Sequence, residues 1–429
     1  MKKIFMYLEN RRSKLFLFGI MAVFYFFAYF QRVAVPGTIF NRLQSDLGIS
    51  AASVTALSSM FMCVYASTQL FVGMLADRYG GMKVLISGGV LFCIGAFMFP
   101  YSTSVPGLFI SRIITGLGTS CLYLSIVKET DNMFGKKNFS VMLGLIFFIG
   151  YSGGLAGTLP FERVVSVFGW RESLKVIALI STLILLAIML VPRHRSEKEK
   201  DKTSFSFKPL WIILKNKYSL PLFFSGSVNF AVYFTIQTVI GKKFLEDYVS
   251  MSSYAAASFT CLMMLFTMFT LLSSGIVSKL LGNRRRIFIN TATSLSVLSS
   301  IMMICGLKFG FSGFFFLICY IMFGVSSGFS TIFASMAREL NPPECMALSL
   351  GLLNGLCYVL VAIISNIAGF IMDAFKDSVI RTAHSVIYPA GAYMAVFWML
   401  FGLSAVSFLV SFMIRETNGN HIYPEAKSI

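Results

Sequence analysis

Long apolar stretches alternate with short polar ones along most of this chain. Each stretch has about 18 residues or more, which is enough to cross a bilayer as a helix. Only helices satisfy every backbone polar group within such a stretch, so the pattern predicts an all-α polytopic membrane protein. The twelve predicted spans are residues 15–38, 51–75, 84–101, 107–127, 139–160, 173–192, 220–243, 254–281, 287–306, 312–336, 347–373 and 391–414.

The longest polar segment lies between the sixth and seventh spans and is rich in charge. It predicts three parts: an N-terminal six-helix bundle at 1–192, a charged cytoplasmic linker at 193–219, and a C-terminal six-helix bundle with a short tail at 220–429. Trp211 and its apolar neighbours indicate a short interfacial helix within the linker. Six spans on either side of one linker also suggest an internal repeat.

Composition agrees with the membrane assignment, because 56% of residues are hydrophobic and only 13% are charged, against about 25% charged in soluble proteins. The net charge of +18 is divided among loops, which argues against a nucleic-acid partner. Of the lysines and arginines, 25 lie on the side that carries the termini and 9 on the other side. The positive-inside rule therefore predicts a cytoplasmic-membrane protein with both termini in the cytoplasm.

Signs of catalysis are missing from the sequence. The eight cysteines form no C-x-x-C pair, the three histidines lie in loops or tails, and no phosphate-binding loop occurs. We therefore expect no enzyme activity, no metal and no cofactor, with transport energy drawn from a gradient.

The loop after the second span carries Gly73, Asp77, Arg78, Gly80 and Lys83. This spacing resembles the signature loop between the second and third helices of the major facilitator superfamily, although Met82 replaces one of its usual basic residues. Further resemblance lies in Arg112-Ile-Ile-Thr-Gly116-Leu-Gly118, Phe168-Gly169-Trp170-Arg171 and Pro192-Arg193, and in a degenerate repeat of the loop from Gly275 to Arg286, where Lys279 takes the acidic position.

The resemblance covers nearly the whole chain and implies two pseudo-symmetric six-helix bundles around a central cavity that opens to alternate sides. Spans one, four, seven and ten would line that cavity. In the family, an acid at the cytoplasmic end of span four pairs with the arginine of the signature loop and forms a conformational latch. Here Glu129 or Asp131 would take that role with Asp77 and Arg78, and the sequence does not decide between them.

Two charges are predicted well inside spans, Arg32 and Arg112, and no acidic residue is predicted there. Both would lie at similar depth, and paired guanidiniums favour a carboxylate or phosphate ligand. Alternatively, Arg32 snorkels to the interface, and Arg112 orders the bundle or relays protons. Tyr25 and Tyr29 share one helical face with Arg32, and Asn229, Tyr233 and Gln237 form a polar stripe along span seven. The other predicted substrate contacts give polarity to span ten, through Tyr320, and to span eleven, through Asn354 and Tyr358.

Together these features predict a secondary transporter for a small anionic or zwitterionic solute, such as an organic acid, an amino acid or a short peptide. An arginine late in span one followed by Pro36 loosely resembles organic-anion symporters of the superfamily and favours proton-coupled import. The expected partners are that solute, protons and the lipid bilayer, and the protein is expected to be a monomer. The alternatives are a proton-driven exporter of drugs or amphiphiles, and a transporter-like sensor.

Overall fold

Helices make up almost all of the computed structural model, which describes residues 2–191, 208–342, 345–381 and 386–422. The first half contains α1 (Lys2–Ala34), a 3-10 turn (Gly37–Ile39), α2 (Phe40–Leu47), α3 (Ala51–Tyr79), α4 (Gly81–Tyr101), α5 (Val105–Ala156), α6 (Leu159–Phe168) and α7 (Trp170–Leu190). The second contains α8 (Lys208–Lys215), α9 (Ser219–Thr235), a π-helix (Ile236–Ile240), α10 (Gly241–Asp247), α11 (Ser253–Leu280), α12 (Arg285–Phe309), α13 (Gly313–Gly328), α14 (Ser330–Glu339), α15 (Met346–Asp373), a 3-10 turn (Lys376–Ser378), β1 (Ile380–Arg381), β2 (Val386–Ile387) and α16 (Ala390–Ser411). The two strands pair antiparallel, with Ile380 opposite Ile387.

The membrane spans follow the predicted pattern. Within the described ranges, eleven helices are long and apolar enough to cross a membrane, and a twelfth span results if the bent pair Gly144–Ala156 and Leu159–Phe168 counts as one. These two helices meet at 40°, next to Pro160, which cannot continue the backbone hydrogen-bond pattern of the preceding helix. The all-α polytopic prediction is confirmed.

One loop predicted between spans four and five is helical instead. The hydrogen-bond pattern of α5 runs without a break from Val105 to Ala156, through the polar segment 128–138. That segment contains no proline, and its lysines and glutamate are good helix formers, so polarity alone does not end a helix there.

Internal contacts divide the chain into two compact units. The first contains Met1–Ala34 and Ser67–Ser204, and the second contains Val35–Ala66 and Phe205–Ile429. This grouping differs from the predicted division into 1–192 and 220–429 at residues 35–66, and those domain limits stay a prediction. Residues 193–207 of the predicted linker lie outside the described residues. The rest of the linker contains α8, the short helix expected around Trp211.

A seam of glycines joins α4 and α5 in the first unit. A Cβ atom on Gly118 would lie 2.2 Å from the backbone nitrogen of Phe92, and one on Gly95 would lie 2.6 Å from that of Thr115. The Ser111 hydroxyl also donates to the Gly95 carbonyl at 3.2 Å. Glycine therefore brings the two backbones into direct contact, as small residues do in membrane helix pairs.

A π-helix interrupts the long helical span from Ser219 to Asp247 in the second unit. Such single-turn widenings displace the helical register by one residue and are frequent at functional sites. Here the widened turn contains Gln237 and leads directly into α10. Two charged residues of α10, Lys242 and Lys243, are buried in this unit.

Candidate functional site

Arg32 and Arg112 are both buried in the first unit, each with 1% of its surface exposed. The Arg32 guanidinium lies over the Tyr29 ring, 4.9 Å from its centroid. Arg112 Nη1 donates to the Gln31 carbonyl at 3.3 Å, and the two arginine charges repel one another. Burial of Arg32 means that its head group does not snorkel into water in this conformation.

Glu162 is a buried acid that the sequence analysis did not place inside a span. It belongs to α6, which completes a twelfth span if the bent pair counts as one, and only 1% of its surface is exposed. Its neighbour Phe161 packs edge-to-face on Phe30, with centroids 4.9 Å apart, two residues before Arg32. The sequence placed residue 162 in a loop because Pro160 marked the end of span five, whereas Pro160 starts a second helix instead.

The polar stripe of the second unit is largely occupied by internal hydrogen bonds. Asn229 Oδ1 accepts from the Ser326 hydroxyl at 2.9 Å, and the Tyr233 hydroxyl accepts from Thr267 Oγ1 at 3.1 Å. Gln237 Nε2 donates to the Thr260 carbonyl at 3.1 Å. Gln237 Oε1 is buried and accepts no hydrogen bond from the described residues.

Tyr320 is fully buried and its hydroxyl donates to the Gly241 carbonyl at 2.7 Å. This bond supports the turn between the π-helix and α10, so the structure gives Tyr320 a packing role. Its predicted substrate contact remains untested.

A small pocket of about 40 Å³ lies beside Asn229 in the second unit. A volume of that size holds only a few water molecules. The Tyr358 ring packs against Phe230 of the pocket wall, 5.4 Å between centroids, whereas Asn354 is half-buried on the same helix. The pocket is lined by Gly226, Asn229, Phe230, Ser327, Ser330, Phe333, Leu353 and Cys357.

Glu129, one of the two acids considered for the predicted latch, lies at the start of α4. Its Oε1 accepts from the Met82 backbone N–H at 3.0 Å, at the N-terminus of α4, where a helix favours negative charge. The neighbouring Lys128 Nζ donates to the Ala76 carbonyl at 2.7 Å, near the C-terminus of α3, where positive charge is favoured. Adjacent residues of α5 thus hold the end of one helix and the start of the next.

Two further residues of the predicted latch, Arg78 and Gly80, lie where α3 ends and α4 begins. Gly80 has a φ of +89°, a conformation that glycine adopts without a steric penalty. The Arg78 side chain is exposed and lies over the Tyr79 ring, 5.4 Å from its centroid, and Lys83 is also exposed. The backbone of Gly73 belongs to α3, while the side chains of Asp77 and Asp131 lie outside the described residues, so their pairing stays a prediction.

The degenerate loop in the second unit has an equivalent anchor. Glu416 accepts from the backbone N–H groups of Arg285 and Arg286, both at 2.9 Å, at the N-terminus of α12. The Arg285 guanidinium also pairs with Glu339, at 3.2 Å, and Thr417 Oγ1 donates to the same carboxylate at 2.5 Å. In both units, then, a carboxylate accepts hydrogen bonds from the first backbone amides of the helix that follows the loop. The carboxylate is Glu129 for α4 and Glu416 for α12.

A buried ion pair at the end of α10 was missed by the sequence reasoning. Lys243 and Asp247 have side chains 0% and 1% exposed, with Nζ 2.9 Å from Oδ2. The same ammonium donates to Asn41 Oδ1 and to the Val386 carbonyl, both at 2.6 Å. Asp247 accepts in addition from the Tyr393 hydroxyl at 2.7 Å.

A second, adjacent pair joins Lys242 to Glu246 at 3.3 Å. Lys242 Nζ also donates to the Thr38 carbonyl at 2.6 Å, and Glu246 accepts from Asn41 and from the Ser253 hydroxyl. Both lysines lie at the very end of the predicted seventh span, 220–243. Their i, i+4 spacing from two acids was the signal that could have identified them, because such pairs compensate charge inside a bundle.

Several proteins similar to this chain are named as transporters. The family model described as Major Facilitator Superfamily matches residues 21–366. The 4-hydroxybenzoate transporter PcaK of Pseudomonas aeruginosa is 25% identical over 198 residues, 44% of each protein. Multidrug resistance protein MdtM of Salmonella typhimurium is 21% identical over 263 residues, 60% of this chain and 58% of that protein.

The fold is also that of solved transporters. A crystal structure of the nucleoside transporter NupG superposes with a TM-score of 0.71 at 16% identity, covering 94% of this chain and 98% of that one. Sequence matches to the first curated relatives span 40–61% of their length.

Proposed function

This chain belongs to the major facilitator superfamily, and on that premise we propose that it is a secondary transporter for a small anionic solute, coupled to protons. The relatives include both anion transporters and multidrug exporters, so the choice of solute depends on the charges inside this chain. We place the protein in the cytoplasmic membrane as a monomer.

The observation that carries the proposal is the balance of buried charge in the first unit. Among its described residues, three charged side chains are buried: Arg32, Arg112 and Glu162. Two positive charges and one negative charge leave one positive charge in excess. A buried charge is costly unless it is balanced, and a solute carboxylate would supply the missing negative charge while using the bidentate geometry of a guanidinium.

Substitution of Arg32 tests this directly. Arg32→Lys keeps the charge but loses the planar fork, so we expect clearly weaker anion binding. Arg32→Ala should lose roughly 2–5 kcal/mol of binding free energy. The probes are lactate, succinate and benzoate, with binding measured on the purified protein by isothermal titration calorimetry.

Arg163→Lys is the matched control, because Arg163 is exposed in the same unit, and it should bind normally. Unchanged affinity and near-normal transport in Arg32→Lys would contradict the anion site.

Glu162 supplies a candidate for proton coupling that the sequence had not offered. A buried carboxylate in a membrane transporter can exchange a proton when its surroundings open to water. Glu162→Gln should abolish accumulation driven by an imposed proton gradient in proteoliposomes while leaving solute counterflow intact. Glu172→Gln, at an exposed pair with Lys175, is the control. Gradient-driven accumulation at the normal rate in Glu162→Gln would exclude this role.

Conformational control is assigned to the latch around Glu129. Glu129→Gln weakens the bond to the α4 N-terminus, because a neutral amide is a poorer acceptor than a carboxylate. We expect a changed transport rate with equilibrium affinity within a few-fold of the original. A normal rate would argue against a latch.

The orientation proposal keeps both termini and the 193–219 linker in the cytoplasm. A Ser196→Cys variant should then resist labelling by a membrane-impermeant maleimide applied to intact cells and react in inverted vesicles. Labelling from outside would reverse the assignment.

Export of amphiphiles is the second candidate, favoured by the similarity to MdtM over 60% of this chain. Inverted vesicles distinguish the two directions, because an exporter accumulates its substrate inside them when the proton gradient is imposed. A sensor that moves no solute would show binding without counterflow.

A further inference from the structure

Five aromatic rings form a continuous row beside Arg32 in the first unit, and we call this row the aromatic ladder. Neighbouring centroids lie 5.0–6.2 Å apart, within the range of favourable ring contacts. The Arg32 guanidinium lies over the Tyr29 ring, so a positive charge lies against the last but one ring of the row. The ladder runs in the order Phe147, Tyr123, Tyr25, Tyr29 and Tyr151.

The ladder combines a fixed inner part with an accessible outer part. Tyr25 and Tyr29, one turn apart on α1, are each 4% exposed. Tyr123 and Tyr151, on α5, are only half-buried. Gly150 makes room for the ladder, because a Cβ atom at that position would lie 2.5 Å from Tyr25 Cε1. The rings of Tyr123 and Tyr151 thus present aromatic surface next to a buried guanidinium.

The chain uses phenylalanine 45 times and tyrosine 17 times, yet four of the five ladder rings are tyrosines. The ladder therefore combines a row of ring surfaces with the positive charge of Arg32 over Tyr29. A row of rings next to a cation fits a ligand that has both a flat apolar body and a negative group.

We infer that the ladder binds the ring of an aromatic carboxylate whose carboxylate group lies at Arg32. This inference rests on the proposed anion transport and specifies its solute class. The ring would pack edge-to-face or offset against Tyr29 and Tyr151, while the carboxylate meets the guanidinium. Amphiphilic cations, which also stack on tyrosine, are repelled by Arg32 and Arg112.

Three probes of similar size separate the contributions. Benzoate has the ring and the charge, cyclohexanecarboxylate has the charge without the aromatic ring, and benzamide has the ring without the charge. Binding to the full-length protein in nanodiscs is measured by isothermal titration calorimetry. We expect benzoate to bind about tenfold more tightly than cyclohexanecarboxylate, as two ring contacts would provide, and benzamide to bind far more weakly than either.

Tyrosine variants then assign the preference to the ladder. Tyr29→Leu and Tyr151→Leu should each reduce the preference for benzoate over cyclohexanecarboxylate to near unity or a few-fold, while Tyr29→Phe keeps it. Tyr101→Leu is the matched control, because Tyr101 also lies beside a basic residue, Lys175, at 4.6 Å, but outside the ladder. If Tyr29→Leu fails to fold, the half-buried Tyr151→Leu decides alone.

The outcomes distinguish this inference from the proposed function. Equal affinity for benzoate and cyclohexanecarboxylate, or binding of lactate and succinate but not benzoate, overturns the aromatic class and leaves anion transport standing. Benzamide binding as tightly as benzoate overturns the anion site itself. A benzoate preference that survives both leucine variants overturns the ladder as its cause.

Discussion

Breaking the Lys243–Asp247 pair should destabilise the protein strongly. Lys243→Met keeps the length of the side chain but leaves the Asp247 carboxylate, which is 1% exposed, without its cation. Removing one partner of a buried pair costs about 3–5 kcal/mol. At roughly 2–4 °C per kcal/mol for a unit of this size, the unfolding midpoint should fall by roughly 6 °C or more.

The assay is thermal unfolding of the detergent-solubilised protein, followed by far-UV circular dichroism. Lys175→Met is the control, because Lys175 pairs with Glu172 on an exposed helix face, where the side chains are 27% and 65% exposed. Such surface pairs contribute about 0–1 kcal/mol, so little change is expected there. Adding Asp247→Asn to Lys243→Met should restore about 1–3 kcal/mol, since the stranded charge is gone.

Two results would refute this reasoning. One is a Lys243→Met midpoint no lower than that of Lys175→Met. The other is a double variant whose loss of stability equals the sum of the two single losses, because independent sites add and a coupled pair does not.

Three further outcomes follow from single contacts and can be checked by folded yield and unfolding midpoint. Gly118→Ala should abolish folded protein, since its Cβ would meet Phe92 backbone at 2.2 Å, whereas Gly144→Ala, with open space around it, should behave normally. Glu416→Ala should cost about 1–2 kcal/mol, because two helix-start amides lose their acceptor. Tyr320→Phe should cost about 1–3 kcal/mol, because the Gly241 carbonyl loses a buried donor.

Hydropathy was enough to predict the spans, because each helix must satisfy its backbone internally in lipid. The burial of Arg32 and Arg112 was equally accessible, since both fall deep within apolar runs. The burial of charged residues near span ends could not be predicted, because polarity alone does not tell whether a side chain faces water or a protein partner. Lys243 donates a hydrogen bond to Asn41, which lies about 200 residues earlier in the chain. No local sequence pattern predicts such a distant contact.

The ladder illustrates a second limit. Periodicity placed Tyr25 and Tyr29 on one face of α1, because it describes single helices. Tyr123 and Tyr151 join them only through packing between helices, which depends on the room left at Gly150. Glu162 was missed for a related reason. Whether the chain after Pro160 forms a loop or a helix depends on packing between helices, which the local sequence pattern does not describe.

The glycine seam between α4 and α5 has a mechanical consequence. Backbone packed on backbone has no rotamers through which to absorb a displacement, so this helix pair should respond as one stiff element. Glu129 and Arg112 lie on α5 about 25 Å apart along its axis at 1.5 Å per residue. Movement at either end of α5 is therefore transmitted to the other end. By thermodynamic reciprocity, the coupling free energy between the two ends is the same in both directions. The size of any affinity change in Glu129→Gln, expected to stay within a few-fold, then measures how strongly anion binding near Arg112 and the helix contacts of Glu129 influence one another.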